Sequence, residues 1–163
     1  MTNKNENAEK IAAFIHQRLL KIELIAVTIV LIGFVLRINN IPAAGIIFTL
    51  ALSTLSMAYF FTAFHVDNSA TSAMELFANK LEGFALSTAT IGLLFFLQNW
   101  PSSKSMILVS APILTFIYIY SLVNTKKLKT IIRSAFFLIL ASCIYFIPKE
   151  KFQEWHIITD NLL

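Results

Sequence analysis

Three stretches of this chain, 38–66, 83–103 and 105–125, contain no Asp, Glu, Lys or Arg. A helix needs about 20 mostly apolar residues to cross the hydrocarbon core of a bilayer, and each stretch is long enough to supply one. Over all 163 residues, 57% are hydrophobic and 13% are charged, with a mean hydropathy of +0.73. An average soluble domain is about 25% charged. A water-soluble core of this size cannot hide so much apolar surface, so lipid must cover it. The expected fold class is an all-α integral membrane protein, a single membrane domain over 1–163.

Five spans are expected, at about 22–38, 42–64, 82–99, 105–123 and 130–148. Glu23 and Arg37 bracket the first, and Arg133 lies near the start of the fifth. Charges at helix ends reach the headgroups at little cost. The first span is expected to stay uncleaved. Of the 13 Lys and Arg, nine fall on the side of the N-terminus if all five segments cross. The bias of basic residues toward the cytoplasm then places the N-terminus inside and the C-terminus outside. A formal net charge of +4 does not suggest nucleic acid, because the basic residues sit scattered at the ends of apolar runs.

The segments KIELIAVTIVLIGFVLRINNIP (21–42) and KLEGFALSTATIGLLFFLQNWP (80–101) align without a gap at an offset of 59. Lys21, Glu23, Ala26, Gly33, Asn40 and Pro42 meet Lys80, Glu82, Ala85, Gly92, Asn99 and Pro101. Shared apolar letters come cheaply in a membrane protein; shared Lys, Glu, Gly, Asn and Pro in one register do not. The match reads as an internal duplication. Repeat 1 covers 8–64 and repeat 2 covers 67–123, each an amphipathic surface helix, a span, a tight corner and a return span. Both units enter from one side, so they are parallel repeats about an axis along the membrane normal. Residues 124–163 add the fifth span and an amphipathic tail, in which Phe152, Trp155, Ile158 and Leu162 recur at helical spacing.

The corners have a simple account. Pro42 and Pro101 suit the first turn of a helix, because proline lacks an N–H there. Asn40 and Asn99, two residues earlier, can cap the preceding helix or the turn itself. Trp100 fits the aromatic belt at that depth.

The segment 33–64, with Arg37, Asn40, Pro42, Ala43 and Ala44, resembles the paired spans of GldL-type gliding-motility proteins. That family carries a basic residue, a polar residue three places on, an aromatic-Pro-small corner and an apolar return helix; here Ile41 stands in the aromatic place. The resemblance covers about thirty residues of each repeat. The acidic residue of that family's second span has no counterpart in 42–64 or 105–123. The resemblance therefore implies helical-pair geometry and a bacterial inner membrane, and not motor function.

Glu23 and Glu82 are the leading polar candidates. Parallel repeats would bring them to a pseudo-twofold axis, where two carboxylates can share a proton or a cation. Each also lies two residues from a Lys, where an interfacial anchor would look the same. Asn40 and Asn99 join them as a candidate polar site. Gly33 and Gly92 are expected at helix contacts, since small residues let membrane helices approach. Pro112 is expected to kink the fourth span. Cys143, the sole cysteine, reads as a small apolar side chain.

His16, His65 and His156 lie far apart, and no phosphate-binding loop or nucleophile motif occurs. No catalytic residue, metal or cofactor is expected. The expected partners are the lipid bilayer and a second copy or another membrane protein. The leading expectation is a non-enzymatic structural or assembly component. The alternative is a small carrier or channel, which needs Glu23, Glu82 and the asparagines to face inward together.

Overall fold

The computed structural model describes residues 2–65, 72–125 and 127–158. Every described element is a helix: α1 Thr2–Ile38, α2 Ala43–Thr62, α3 Ala73–Leu97, α4 Ser103–Tyr120, α5 Leu128–Phe146 and α6 Lys149–Glu154. A π-helical turn, Ser121–Thr125, extends α4. Five helices are long and apolar enough to cross a membrane, the shortest being α5 at 19 residues. At 1.5 Å per residue that is about 28 Å, close to the thickness of the hydrocarbon core. The protein is thus an all-helical chain with five candidate spans.

The two lead-in segments are not separate elements. Residues 10–21 continue into the first span within α1, and residues 73–81 continue into α3. Neither junction holds a Pro, and α3 runs on through Gly83, where the second lead-in meets its span. Ser72 opens α3, its hydroxyl accepting from the Glu75 N–H at 3.1 Å. The start of the second lead-in, 66–71, lies outside the described residues. α4 runs on through Pro112 without a break in its helical assignment.

Both corners close in the same way. Asn40 and Asn99 adopt left-handed backbones, with φ of 56° and 57°. The Asn40 N–H donates to Arg37 O (2.8 Å) and the Ile41 N–H to Leu36 O (2.9 Å). The Asn99 N–H donates to Phe96 O (3.1 Å) and the Trp100 N–H to Phe95 O (2.8 Å). This is the Schellman pattern, which satisfies the last carbonyls of a helix. Asparagine therefore caps each helix through its own backbone, since it tolerates positive φ better than most L-residues. The second corner adds a further left-handed residue, Ser102 (φ 68°).

Packing follows the same register. α2 buries Phe48, Ala51, Leu55 and Ala58, and α4 buries Ile107, Ser110, Leu114 and Ile117, residue for residue at the offset of 59. α1 buries Leu19, Ala26 and Gly33, and α3 buries Ala78, Ala85 and Gly92. The spacing of seven, two helical turns, keeps these small side chains on one seam. The core has two halves. One joins all five spanning helices around Leu55, Leu86, Leu114, Ile117 and Phe137. The other lies toward the corners around Phe48, Leu97 and Ile107.

α6 and the residues after it close the corner end. Phe152 and Ile158 are buried, and the Phe152 ring meets Phe96 edge-on at 4.9 Å. Arg37, at the end of α1, donates through Nη1 to the carbonyls of Leu97 (2.5 Å) and Ile157 (3.0 Å). The amphipathic tail thus turns its apolar side to protein and not only to lipid: Phe152 and Ile158 join the core at the corners. Trp155 stays half-exposed, and Leu162 is outside the described residues. The tail and both corners thus share one end of the bundle, opposite the C-terminal ends of α2 and α4.

Candidate functional site

Glu23 and Glu82, 59 positions apart, converge on one cation. Glu23 projects from α1, Glu82 from α3, and Arg133 from the second turn of α5. Arg133 Nε donates to Glu23 Oε1 at 2.5 Å, and Nη2 to Oε2 at 2.9 Å, a bidentate pair. The Tyr59 hydroxyl on α2 donates to the same Glu23 Oε1 at 2.9 Å. Glu82 Oε1 lies 4.0 Å from Arg133 Nη1. The Thr130 hydroxyl, one turn before Arg133, donates to Glu82 Oε2 at 3.0 Å. The cluster therefore ties together α1, α2, α3 and α5.

The cluster is largely dry. The side chains of Glu23, Glu82 and Arg133 keep 15%, 13% and 18% of their exposure. Two carboxylates face one guanidinium, which leaves a formal charge of −1 when both are ionised. The imbalance falls on Glu82, whose buried Oε1 accepts no hydrogen bond among the described residues. A half-open cleft of about 540 Å³ lies beside it, lined by His16, Tyr59, His65, Glu82, Lys127 and Arg133 among others. His16 and His65 stack with ring centroids 4.4 Å apart, and Lys127 pairs with Glu75 at 2.8 Å.

Gly83 positions this end of the bundle. A Cβ there would stand 2.8 Å from both Tyr59 O and Ala63 N. Only glycine lets the α3 backbone lie so close to α2, and that approach brings Glu82 alongside Tyr59.

The four candidate polar residues do not gather at one site. Glu23 and Glu82 meet at Arg133. Asn40 and Asn99 sit at the corner end, about 25 Å along the helices from the acids. Gly33 and Gly92 pack within their own hairpins: an added Cβ would lie 2.8 Å from Phe48 Cε1 and 2.9 Å from Ile107 Cγ1. Phe48 and Ile107 are themselves partners at the offset of 59.

Arg133, Tyr59, Thr130 and Gly83 were not singled out as site residues by sequence. Arg133 read as a flanking charge, although its spacing of three from Thr130 puts both on one helical face. Tyr118 stands at the offset of 59 from Tyr59, but among the described residues its hydroxyl bonds no acid.

The chain matches no family model, and no curated protein or solved structure is significantly similar to it. Its class rests on its own features: a helical protein with five helices suited to crossing a membrane.

Proposed function

We propose that this chain is a non-enzymatic structural or assembly component of a bacterial inner membrane. Its N-terminus is cytoplasmic and its first four spans are a duplicated helical hairpin. One observation carries the functional reading: of the acids a carrier would present to substrate, Glu23 is gripped bidentately by Arg133 on the fifth helix, and Glu82 accepts from Thr130 of that helix with Arg133 4.0 Å away. Polar groups elsewhere also serve helix contacts. Ser56 and Ser87 bond between α2 and α3 at 2.9 Å, and Gln98 bonds Thr49 at 3.1 Å. In lipid, such contacts hold helices together rather than open a path. The duplication is supported by the paired left-handed asparagines and by the matched buried residues of α2 and α4.

The least buried of the candidate spans is α1, and its outer face, where Leu24, Leu31 and Val35 are exposed at helical spacing, is the surface assigned to assembly. The test is cross-linking in native membranes with single cysteines at these positions and Cys143 replaced by Ser. The assembly reading expects one discrete cross-linked species. Monomer at every position refutes it.

The cleft beside Glu82 favours a second reading, a small carrier or channel. Under that reading the double variant Glu23→Gln plus Glu82→Gln stays folded but loses solute flux in proteoliposomes. Normal flux in the folded double variant removes this site from consideration.

A further inference from the structure

Arg37 is buried, with 7% of its surface exposed, and its counter-ion is missing among the described residues. Its Nη1 is occupied by the Leu97 and Ile157 carbonyls, and its guanidinium lies 4.7 Å from the centre of the Phe48 ring. Carbonyls and a ring face are partial charges; they do not neutralise a cation. The Nε–Nη2 edge has no acceptor among the described residues. That edge is the fork with which arginine grips an oxyanion bidentately. The molecule itself shows the filled case: the same edge of Arg133 holds Glu23.

The surroundings of Arg37 suit an anion. A half-open cleft of about 480 Å³ adjoins it, lined by Arg37, Asn40, Gln98, Gln153 and His156 together with Ile41, Pro42 and Ile158. Among the described residues, no Asp or Glu lines this cleft. On the adjoining α6, Glu154 is paired with Lys151 at 2.8 Å and Glu150 is exposed. Beside the one cation stand three further polar side chains with donors left for more oxygens, Asn40, Gln153 and His156; the Gln98 amide already donates to Gly45 O and Thr49 Oγ1. A carboxylate has two oxygens and would leave most of these unmet, whereas a tetrahedral phosphate has more. The cleft lies at the helix ends, the depth at which headgroup phosphates of a bilayer are found.

We propose that the corner-end cleft binds a phosphate group on the Nε–Nη2 edge of Arg37. A buried lone cation is costly in a membrane, and a bound phosphate removes that cost. The phosphate comes either from free solute or from the headgroup of an anionic lipid, and the experiment separates the two sources.

The full chain, purified in neutral detergent and stripped of lipid, is melted while its tryptophan fluorescence is followed. Inorganic phosphate is titrated against sodium chloride of equal ionic strength, and phosphatidylglycerol against phosphatidylcholine. The expected result is a saturable rise in melting temperature with phosphate or with phosphatidylglycerol, absent in its control. A response to inorganic phosphate assigns free solute; a response to phosphatidylglycerol alone assigns the lipid headgroup. Arg37→Lys keeps the charge and loses the fork, and should weaken the apparent affinity about tenfold. Arg37 also braces the tail, so Gln153→Leu is the second variant. Its side chain bonds no other described residue, and its replacement should weaken binding while leaving the anion-free melting temperature unchanged. The proposal is overturned if neither anion acts beyond its control, or if both variants keep wild-type affinity.

Discussion

Replacing Glu23 and Glu82 by glutamine, one at a time, should have unequal effects, although the two residues are equivalent in sequence. Glu23 accepts two charge-assisted bonds from Arg133 and one from Tyr59. Such bonds contribute about 1.5–3 kcal/mol each. Glu23→Gln leaves Arg133 with only an acid 4.0 Å away, and should destabilise the bundle by about 3 kcal/mol. Glu82 attracts Arg133 across that 4.0 Å gap, by about 4 kcal/mol at an effective dielectric of about 20. Against this stand its own desolvation and repulsion from Glu23, held on the same guanidinium. Glu82→Gln removes the surplus charge and should change stability by less than about 1 kcal/mol. Equilibrium unfolding in mixed micelles, titrated with a denaturing detergent, measures both variants. Equal losses, or a larger loss for Glu82→Gln, would refute the reasoning that Glu23 is the true partner of Arg133.

Other consequences are as direct. Arg133→Gln strands two buried carboxylates and should cost about 3–5 kcal/mol in the same unfolding assay, more than either glutamine variant of the acids. Gly83→Ala drives a methyl into the backbone of α2, whereas Gly33→Ala meets the edge of the Phe48 ring, which can turn. Thermal melts should show the larger loss at Gly83, within the roughly 1–3 kcal/mol typical of overpacking. Asn99→Ala should lose about 1 kcal/mol for its positive φ, while Asn99→Gly should lose little; a reversed order of melting temperatures would contradict the left-handed cap. In the Cys143→Ser background, cysteines at Ser102 and Lys151 should label from one side of the membrane and a cysteine at Lys10 from the other. Labelling of Ser102 and Lys151 from opposite sides would contradict a crossing by α5.

Sequence carried much of the architecture because the governing terms are local. Charge-free runs of sufficient length must be helices in lipid, whatever their neighbours. The two Asn-x-Pro corners were legible for the same reason, since cap and turn chemistry acts over four or five residues. The position of Gly33 and Gly92 at helix contacts was also foreseeable, since a missing side chain has few other uses in a span. Which helix they touch was not: the partner of each is the return helix of its own hairpin.

Tertiary structure alone decided the rest. That Glu23 and Glu82 matter as a pair could be suspected from the alignment at an offset of 59, but the cation beside them comes from α5, which lies outside the aligned segments 21–42 and 80–101. Arg133 is 110 positions from Glu23, and no periodicity links them. The tail illustrates the same limit, because an apolar stripe at helical spacing is the same whether lipid or protein covers it. Composition and spacing determine which segments enter the membrane, since transfer from water is a property of each segment. The neighbour each buried charge finds is a property of the packed bundle, and only the packed bundle reveals it.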